Sequence, residues 1–100
     1  MCGIWGKVTA NTSRDIPQAE ITRLCDYMAH RGPDGAGAWS AAGVGLGHRR
    51  LSIIDLGGGH QPMSYGDGRY WITYNGEIYN YQSLREQLGK RGHIFQTASD

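Results

Sequence analysis

The stretch Ala38-Trp39-Ser40-Ala41-Ala42-Gly43-Val44-Gly45-Leu46-Gly47-His48-Arg49-Arg50-Leu51 contains two segments that we predict to be paired strands. The first covers residues 38–40 and the second covers residues 44–51. Residues 52–56 are expected to prolong the second strand into a loop. The elements on either side of this pair decide the fold class.

A helix is predicted before the pair. Asp15 is expected to cap it, with Pro17 just inside its start and Gln18 three residues after the cap. Apolar residues then recur at helical spacing and give the helix one apolar face: Ile21, Leu24, Cys25 and Met28. We expect Cys25 to be a core residue and the helix to end near His30. Further upstream, residues 3–8 are predicted to form a short buried strand, with Ile4 and Val8 as its apolar positions.

The second half of the chain has the same alternation of elements. Asp67-Gly68 is a strong hairpin turn signal, and residues 70–74 follow as a strand of high β propensity. Asn80 is expected to cap a second helix that ends at Gly92. Residues 93–96 are predicted to form a further strand. Strands interrupted by two helices indicate an α+β fold.

Composition excludes several classes of protein. A chain of 100 residues with a formal net charge of +1 makes one domain at most and gives no reason to expect nucleic acid as a partner. Its two cysteines form no disulfide framework, which favours a reducing, cytoplasmic location. We find no apolar run of membrane-spanning length and no signal peptide pattern. The four histidines lack metal-ligand spacing, so we predict neither a metal nor a cofactor in this chain.

Cys2 is the first candidate functional residue. If Met1 is removed, this residue carries both a thiol and a free α-amino group, which titrates near physiological pH. Activation of a nucleophile by an N-terminal amine is a known device of covalent catalysis. The structural alternative is a small apolar residue that happens to follow Met1.

Three further stretches each allow a functional and a structural interpretation. His48-Arg49-Arg50 is either a small basic patch or a strand from which one arginine binds a carboxylate in two-pronged fashion. Asn75-Gly76 is either a hairpin turn or a pair of donors for a developing oxyanion. Arg31-Gly32-Pro33-Asp34-Gly35 is either a salt-bridged turn or part of a site.

Taken together, six motifs closely resemble the start of the glutamine-hydrolysing asparagine synthases. They are Met-Cys-Gly-Ile at 1–4, His-Arg-Gly-Pro-Asp-Gly at 30–35, Gly-His-Arg-Arg-Leu-Ser-Ile-Ile-Asp-Leu at 47–56, Gln-Pro-Met at 61–63, Tyr-Asn-Gly-Glu-Ile-Tyr-Asn-Tyr at 74–81 and Thr-Ala-Ser-Asp at 97–100. That start belongs to the class II glutamine amidotransferases, which are N-terminal nucleophile hydrolases. The resemblance implies that residues 1–100 are the N-terminal part of an αββα sandwich, truncated before its second sheet is complete.

The resemblance also implies roles for single residues. Cys2 would be the nucleophile that attacks the side-chain amide of L-glutamine, and Asn75 with the Gly76 N–H would form the oxyanion hole. The substrate-binding positions would be Arg50 for the α-carboxylate, Glu77 and Asp100 near the α-amino group, and backbone groups around Leu51, Ile53 and Ile54. Arg49 is expected to face away from Arg50 and to be structural.

The same resemblance places the rest of the reaction outside this chain. A synthetase domain, absent here, would bind ATP and magnesium and use the ammonia to amidate aspartate. A homodimeric parent enzyme is one arrangement that it leaves open. Two alternatives stand beside this interpretation: a glutamine-binding or regulatory module without the chemistry, and an ammonia supplier to a different acceptor.

Overall fold

The computed structural model describes residues 1–53 and 57–100, and it is an α+β structure built around a three-stranded antiparallel sheet. The elements in chain order are β1 (Gly3–Val8), α1 (Gln18–Asp26), β2 (Gly35–Ala41), β3 (Val44–Arg50), β4 (Met63–Tyr65), β5 (Tyr70–Ile72) and α2 (Tyr81–Lys90). The predicted α+β class is therefore confirmed. The end of the loop predicted after β3, residues 54–56, lies outside the described residues.

β3 is the central strand of the larger sheet, in the order β1-β3-β2. It pairs with β1 from Gly3 opposite Arg49 to Val8 opposite Val44, and with β2 from Gly35 opposite Arg50. The predicted pairing of the strands around residues 38–51 is confirmed, although β2 begins three residues earlier than expected. Gly43 makes the connection between them at a φ of 79°, a conformation that glycine adopts without steric cost.

One face of this sheet packs against α1. The buried core consists of Ile16, Ile21 and Cys25, with Trp5, Met28 and Ala38 packed around it. Cys25 is 2% exposed, so its predicted place in the core is confirmed. The helix approaches closely because β3 presents glycine there: a Cβ at Gly47 would lie 2.2 Å from Cys25 Sγ.

The bounds predicted for the first helix were wrong at both ends. Pro17, not Asp15, occupies the N-cap position, and the backbone of Asp15 instead bridges to Ala42 beside the sheet. The helix ends at Asp26 rather than near His30, and separate turns follow it, such as the one closed by the Met28 N–H and the Cys25 carbonyl oxygen. The pairing of Asp15 with the sheet moves the start of the helix along the chain.

The predicted burial of β1 was also wrong, although its bounds were correct. Strand alternation turns Trp5 towards α1 and Ile4 and Val8 towards the opposite face. On that face Ile4 is 48% exposed and Val8 is 80% exposed. The β4–β5 hairpin covers only part of this face, where Trp71 stacks on Trp39 with ring centroids 4.5 Å apart.

The hairpin turn at Asp67-Gly68 is confirmed, with Asp67 at a φ of 56° and Tyr65 paired with Tyr70. β5 ends at Ile72, two residues earlier than predicted. The second helix begins after Asn80 as predicted, but the Asn80 side chain makes no capping hydrogen bond within the described structure.

The end of α2 is stabilised as expected at Gly92, which has a φ of 92°. The N–H groups of Gly92 and His93 donate to the carbonyl oxygens of Gly89 and Leu88, which satisfies acceptors that a helix end leaves open. The strand predicted for residues 93–96 was wrong. Phe95 instead packs along α2, with the Arg85 guanidinium carbon 4.6 Å from its ring centroid.

Candidate active site

Cys2 lies directly before β1, beside the end of β3. The backbone N–H of Leu51 donates to Cys2 Sγ at 3.3 Å, and Sγ lies 3.7 Å from the Leu51 carbonyl oxygen. Arg31 Nε donates to the Cys2 carbonyl oxygen at 3.3 Å. An N–H aimed at sulfur interacts favourably with negative charge on it. The thiol is therefore held at one end of the strands β1 and β3, and it is half-buried.

Arg50 lies on the face of β3 opposite α1 and is only 8% exposed. Its Nη1 donates to the carbonyl oxygen of Gly58. A Cβ at Gly59 would lie 2.8 Å from Arg50 Nη2 and 3.3 Å from Ser99 Cβ. The glycine loop after β3 and the C-terminal residues therefore meet at this guanidinium.

Arg49 faces the other way, as predicted. Its Nε donates to the Gly32 carbonyl oxygen at 3.0 Å, and its Nη1 lies 3.4 Å from Asp26 Oδ1. It fastens the end of α1 and the following loop to the sheet, which is a structural role.

In its structural interpretation, the loop at residues 31–35 was expected to be held by an ion pair. The described contacts of Asp34 are instead hydrogen bonds to the backbone. Asp34 Oδ2 accepts from the Ser52 N–H at 2.8 Å, and the Asp34 N–H donates to the Arg50 carbonyl oxygen at 2.9 Å. These bonds hold the backbone on both sides of Leu51, the residue that contacts the Cys2 sulfur.

Asp100 lies beside the segment that follows Asn75 and Gly76. Its Oδ2 accepts from the Ile78 N–H at 2.7 Å, next to the exposed Glu77. Because Ser99 lies near Gly59, the last two residues touch both the Arg50 loop and this segment.

Asn75 and Gly76 do not form a hairpin turn, since α2 is the next element and the tight turn lies at residues 66–69. A Cβ at Gly76 would lie 2.6 Å from the Tyr74 hydroxyl oxygen, so the Tyr74 ring folds against this glycine. A side chain at this position would require the Tyr74 ring to move.

The contacts bring the predicted site residues together in three groups. Cys2 contacts Leu51, Arg50 contacts the loop at Gly58, and Asp100 contacts Ile78. Within residues 1–53 and 57–100, no hydrogen bond joins the remaining predicted residues to these groups; they are Ile53, Asn75, Gly76 and Glu77. Ile53 is 69% exposed, and Ile54 lies outside the described residues.

His48 is a buried polar residue to which the sequence assigned no role of its own. Its Nδ1 lies 2.9 Å from Thr73 Oγ1, and the Thr73 hydroxyl is 3.3 Å from the Gly47 carbonyl oxygen. Burial lowers the pKa of His48 below its usual value, and the nearby Arg50 charge adds to the effect. His48 Nε2 has no hydrogen-bond partner in the part of the chain that the structure describes. Strand alternation could have placed His48 on the face of Arg50, two residues away.

Gln61 is a second residue that sequence reasoning passed over. Its Nε2 donates to the Tyr74 carbonyl oxygen at 3.1 Å, and the Tyr74 N–H donates to its Oε1 at 2.5 Å. The only signal in the sequence was its place in the Gln-Pro-Met motif.

The described residues contain no group of three His, Cys, Asp or Glu side chains placed to hold a metal ion. Their helices are too short and too polar for any of them to span a lipid bilayer.

Comparison with known proteins shows what the chain is similar to. The family model described as the glutamine amidotransferase domain matches residues 1–100. The chain is 47% identical, over 102 aligned positions, to asparagine synthetase [glutamine-hydrolyzing] 1 of Bacillus subtilis (strain 168). It is 39% identical to asparagine synthetase B [glutamine-hydrolyzing] of Escherichia coli (strain K12) and 36% identical to asparagine synthetase [glutamine-hydrolyzing] 1 of Arabidopsis thaliana.

Each match covers the whole of this chain, which spans 16% to 18% of the length of these three relatives. The family model covers every residue that carries the candidate site. The chain belongs to the glutamine amidotransferase domain family.

Proposed function

We propose that this chain supplies the glutamine-hydrolysing site of an asparagine synthase. The observation that carries the proposal is the position of Cys2 Sγ, 3.3 Å from the backbone nitrogen of Leu51, the residue that follows the buried Arg50. A nucleophile and a carboxylate-binding cation at the same end of neighbouring strands suit a small amino-acid substrate. Family membership supports glutamine as that substrate.

The proposed chemistry begins with the N-terminal amine. Once Met1 is removed, the α-amino group of Cys2 takes the thiol proton, and the sulfur attacks the side-chain amide carbon of glutamine. The carbonyl oxygen becomes an oxyanion to which the Asn75 amide and the Gly76 N–H donate. The amine returns its proton to the leaving nitrogen, which departs as ammonia and leaves a thioester. Water then attacks the thioester and releases glutamate and the free thiol.

The charged groups match the ends of the substrate. Free glutamine is a zwitterion, so its site needs one cation and one or two anions held apart. Arg50 supplies the cation in a planar, two-pronged form. Asp100 and Glu77 supply the anions, and the Ile78 N–H orients the Asp100 carboxylate. Backbone groups of Leu51 and Ile53 complete the proposed pocket.

The wider enzyme is also part of the proposal. Residues 1–100 would be the first part of an αββα sandwich of the N-terminal nucleophile hydrolase type, in a cytoplasmic protein. Aspartate, ATP and magnesium would act in a synthetase domain elsewhere in the polypeptide, and a homodimer is one assembly to test.

The test measures glutamate release from glutamine by the full natural polypeptide that contains these residues. Cys2→Ala should abolish release while sparing synthesis with added ammonia, and intact mass should show that active protein begins at Cys2. Cys25→Ala is the matched control, because it removes the other thiol from the core and should leave hydrolysis unchanged. Asn75→Ala should lower kcat about a hundredfold or more with little change in KM.

Acid quenching during turnover should trap a thioester on Cys2. Glutamine binding without glutamate release would favour the regulatory module instead. Glutamine hydrolysis that supports amidation of a compound other than aspartate would favour a different acceptor. Hydrolysis that survives Cys2→Ala would refute the assigned nucleophile.

A further inference from the structure

We infer that Gln61 is a positioning residue for the proposed hydrolysis: its side-chain amide fixes the backbone from which Asn75 and Gly76 donate to the oxyanion. The inference rests on the proposed function. It adds a residue that would touch neither the substrate nor the nucleophile and would act through Tyr74.

The contact between Gln61 and Tyr74 has two prongs. The side-chain amide donates to the Tyr74 carbonyl oxygen at 3.1 Å and accepts from the Tyr74 N–H at 2.5 Å. Tyr74 lies two residues beyond the end of β5, so these groups have left the strand ladder. The amide of Gln61 takes the place of a neighbouring strand, since it offers one donor and one acceptor in the same arrangement.

Gln61 is itself fixed on the central sheet. A Cβ at Gly37 would lie 1.9 Å from the Gln61 carbonyl oxygen and 3.2 Å from Pro62 Cδ, so the backbone at 61 and 62 rests directly on Gly37. Gly37 pairs with His48 in β3, the strand that continues to Arg50. Gln61 therefore fixes the position of Tyr74 relative to β3, the strand that carries Arg50.

The contacts of Thr73 and of the Tyr74 ring also restrict the backbone that leads to Asn75 and Gly76. Thr73, one residue earlier, is bonded to His48 Nδ1 and lies near the Gly47 carbonyl oxygen. The Tyr74 ring lies against Gly76, at 2.6 Å from where a Cβ would be. The chain thus enters Asn75 from a backbone that is held on both sides.

The consequence concerns the transition state more than substrate binding. Oxyanion donors act at about 2.7–3.1 Å from the charged oxygen, and a displacement of about 1 Å can cost a hundredfold in rate. The carboxylate of glutamine would be bound by Arg50, whereas the Gln61 side chain bonds the backbone of Tyr74. Loss of the Gln61 amide should therefore lower kcat and leave KM nearly unchanged.

The experiment uses the full natural polypeptide that contains these residues and follows glutamate release. Gln61→Met keeps the length of the side chain and removes both hydrogen bonds. We expect its kcat to fall about tenfold to a hundredfold with KM within about twofold of wild type. Alkylation of Cys2 by iodoacetamide should proceed at the wild-type rate, because the end of the sheet is intact.

A second variant keeps the proposal falsifiable if Gln61→Met is insoluble. Gln61→Glu keeps an acceptor for the Tyr74 N–H, and its carboxyl group regains the donor when it is protonated. The ratio of its kcat to that of wild type should rise as the pH is lowered. A merely structural role would not produce that recovery. Gln87→Met is the matched control, since Gln87 is an exposed glutamine of α2 that bonds Ser83.

The outcomes separate the two proposals. A kcat of Gln61→Met within twofold of wild type would overturn the role of Gln61, as would a parallel loss of kcat and Cys2 alkylation. A flat ratio of Gln61→Glu to wild type across pH would also overturn it. If the wild-type protein shows no hydrolysis that depends on Cys2, the proposed function itself fails and the role of Gln61 falls with it.

Discussion

Gly47 is the position where a single methyl group should cost the fold most clearly. A Cβ there would lie 2.2 Å from Cys25 Sγ and 2.9 Å from Ile21 Cγ2. Non-bonded heavy atoms keep about 3.5–4.0 Å between them, so something must move by more than an ångström. The strand cannot yield easily, because Gly47 pairs with Trp5 on one side and Ala38 on the other.

The magnitude follows from these distances. Overpacking of a core costs about 1–3 kcal/mol, and we expect Gly47→Ala to lie near the upper end, since the helix packed on this face of the sheet must shift. Cys25→Ala removes the nearest atom and should cost about 1 kcal/mol alone, the value of one buried methylene-sized group. In the double variant the overlap with Cys25 Sγ is gone, but Ile21 Cγ2 still lies close to the new Cβ, so most of the cost of Gly47→Ala is relieved and some remains. The two changes should therefore be coupled by about 2 kcal/mol, within the range for residues in contact.

The assay is urea unfolding of the wild type, Gly47→Ala, Cys25→Ala and the double variant. Tryptophan fluorescence follows the unfolding, because Trp5 packs against this core. Gly89→Ala is the matched control: its Cβ would meet open space within 4 Å, and alanine favours a helix. We expect that control to be neutral or stabilising by up to about 1 kcal/mol. The packing account of this sheet face is wrong if Gly47→Ala is as stable as wild type. It is also wrong if the destabilisation of the double variant equals the sum of the two single destabilisations.

Three further predictions concern the opposite face. Arg50→Lys keeps the charge but loses the planar fork, so KM for glutamine should rise by an amount worth about 1–3 kcal/mol, with a smaller change in kcat. An unchanged KM would remove Arg50 from the site. Burial and the Arg50 charge hold the pKa of His48 below its ordinary value of 6.5, so the unfolded chain binds the proton first and stability should decline as pH falls below 6.5. His48→Asn should flatten that part of the urea-unfolding pH profile, and an unaltered profile would contradict the assignment. Residues 1–100 expressed alone should associate through the face that exposes Ile4 and Val8, and light scattering that shows a monomer with cooperative unfolding would refute this.

Local patterns predicted most of the elements because the signals for strands, turns and helix ends are short-range. The hairpin at Asp67 and the helix stop at Gly92 depend on backbone conformations that a few residues determine. Asp15 failed as a cap because its backbone pairs with Ala42, a contact that local pattern cannot reveal. The strand at residues 93–96 failed for the same kind of reason, since its packing partner is α2.

Burial was harder to predict than secondary structure. Alternation assigns Ile4 and Trp5 to opposite faces of β1, but it does not say which face a helix covers. The glycines of β3 decide the matter, because α1 can approach closely only where Gly45 and Gly47 leave room. That criterion needs the register between strand and helix, which the sequence alone does not provide.

The candidate site shows the same division between local and distant signals. Cys2, Arg50 and Asn75 stand in recognisable motifs, and their chemistry can be read from residue type. The amide of Gln61 reaches a backbone thirteen residues away, and no spacing rule predicts that contact. Residue type and motif can therefore nominate groups for contact with a substrate, whereas the contact between Gln61 and Tyr74 becomes visible only in the fold.

The alternation of β3 joins the fold and the candidate site in one strand. Gly45, Gly47 and Arg49 face α1, where they admit the helix and fasten its end. His48 and Arg50 face the other side, where they hold Thr73 and the glycine loop. Substitutions at the odd positions should therefore act mainly on stability, and substitution of Arg50 mainly on the proposed binding of glutamine. A one-residue slip of this strand would exchange the two faces and abolish both at once, which gives a physical reason for the close packing of glycine against α1.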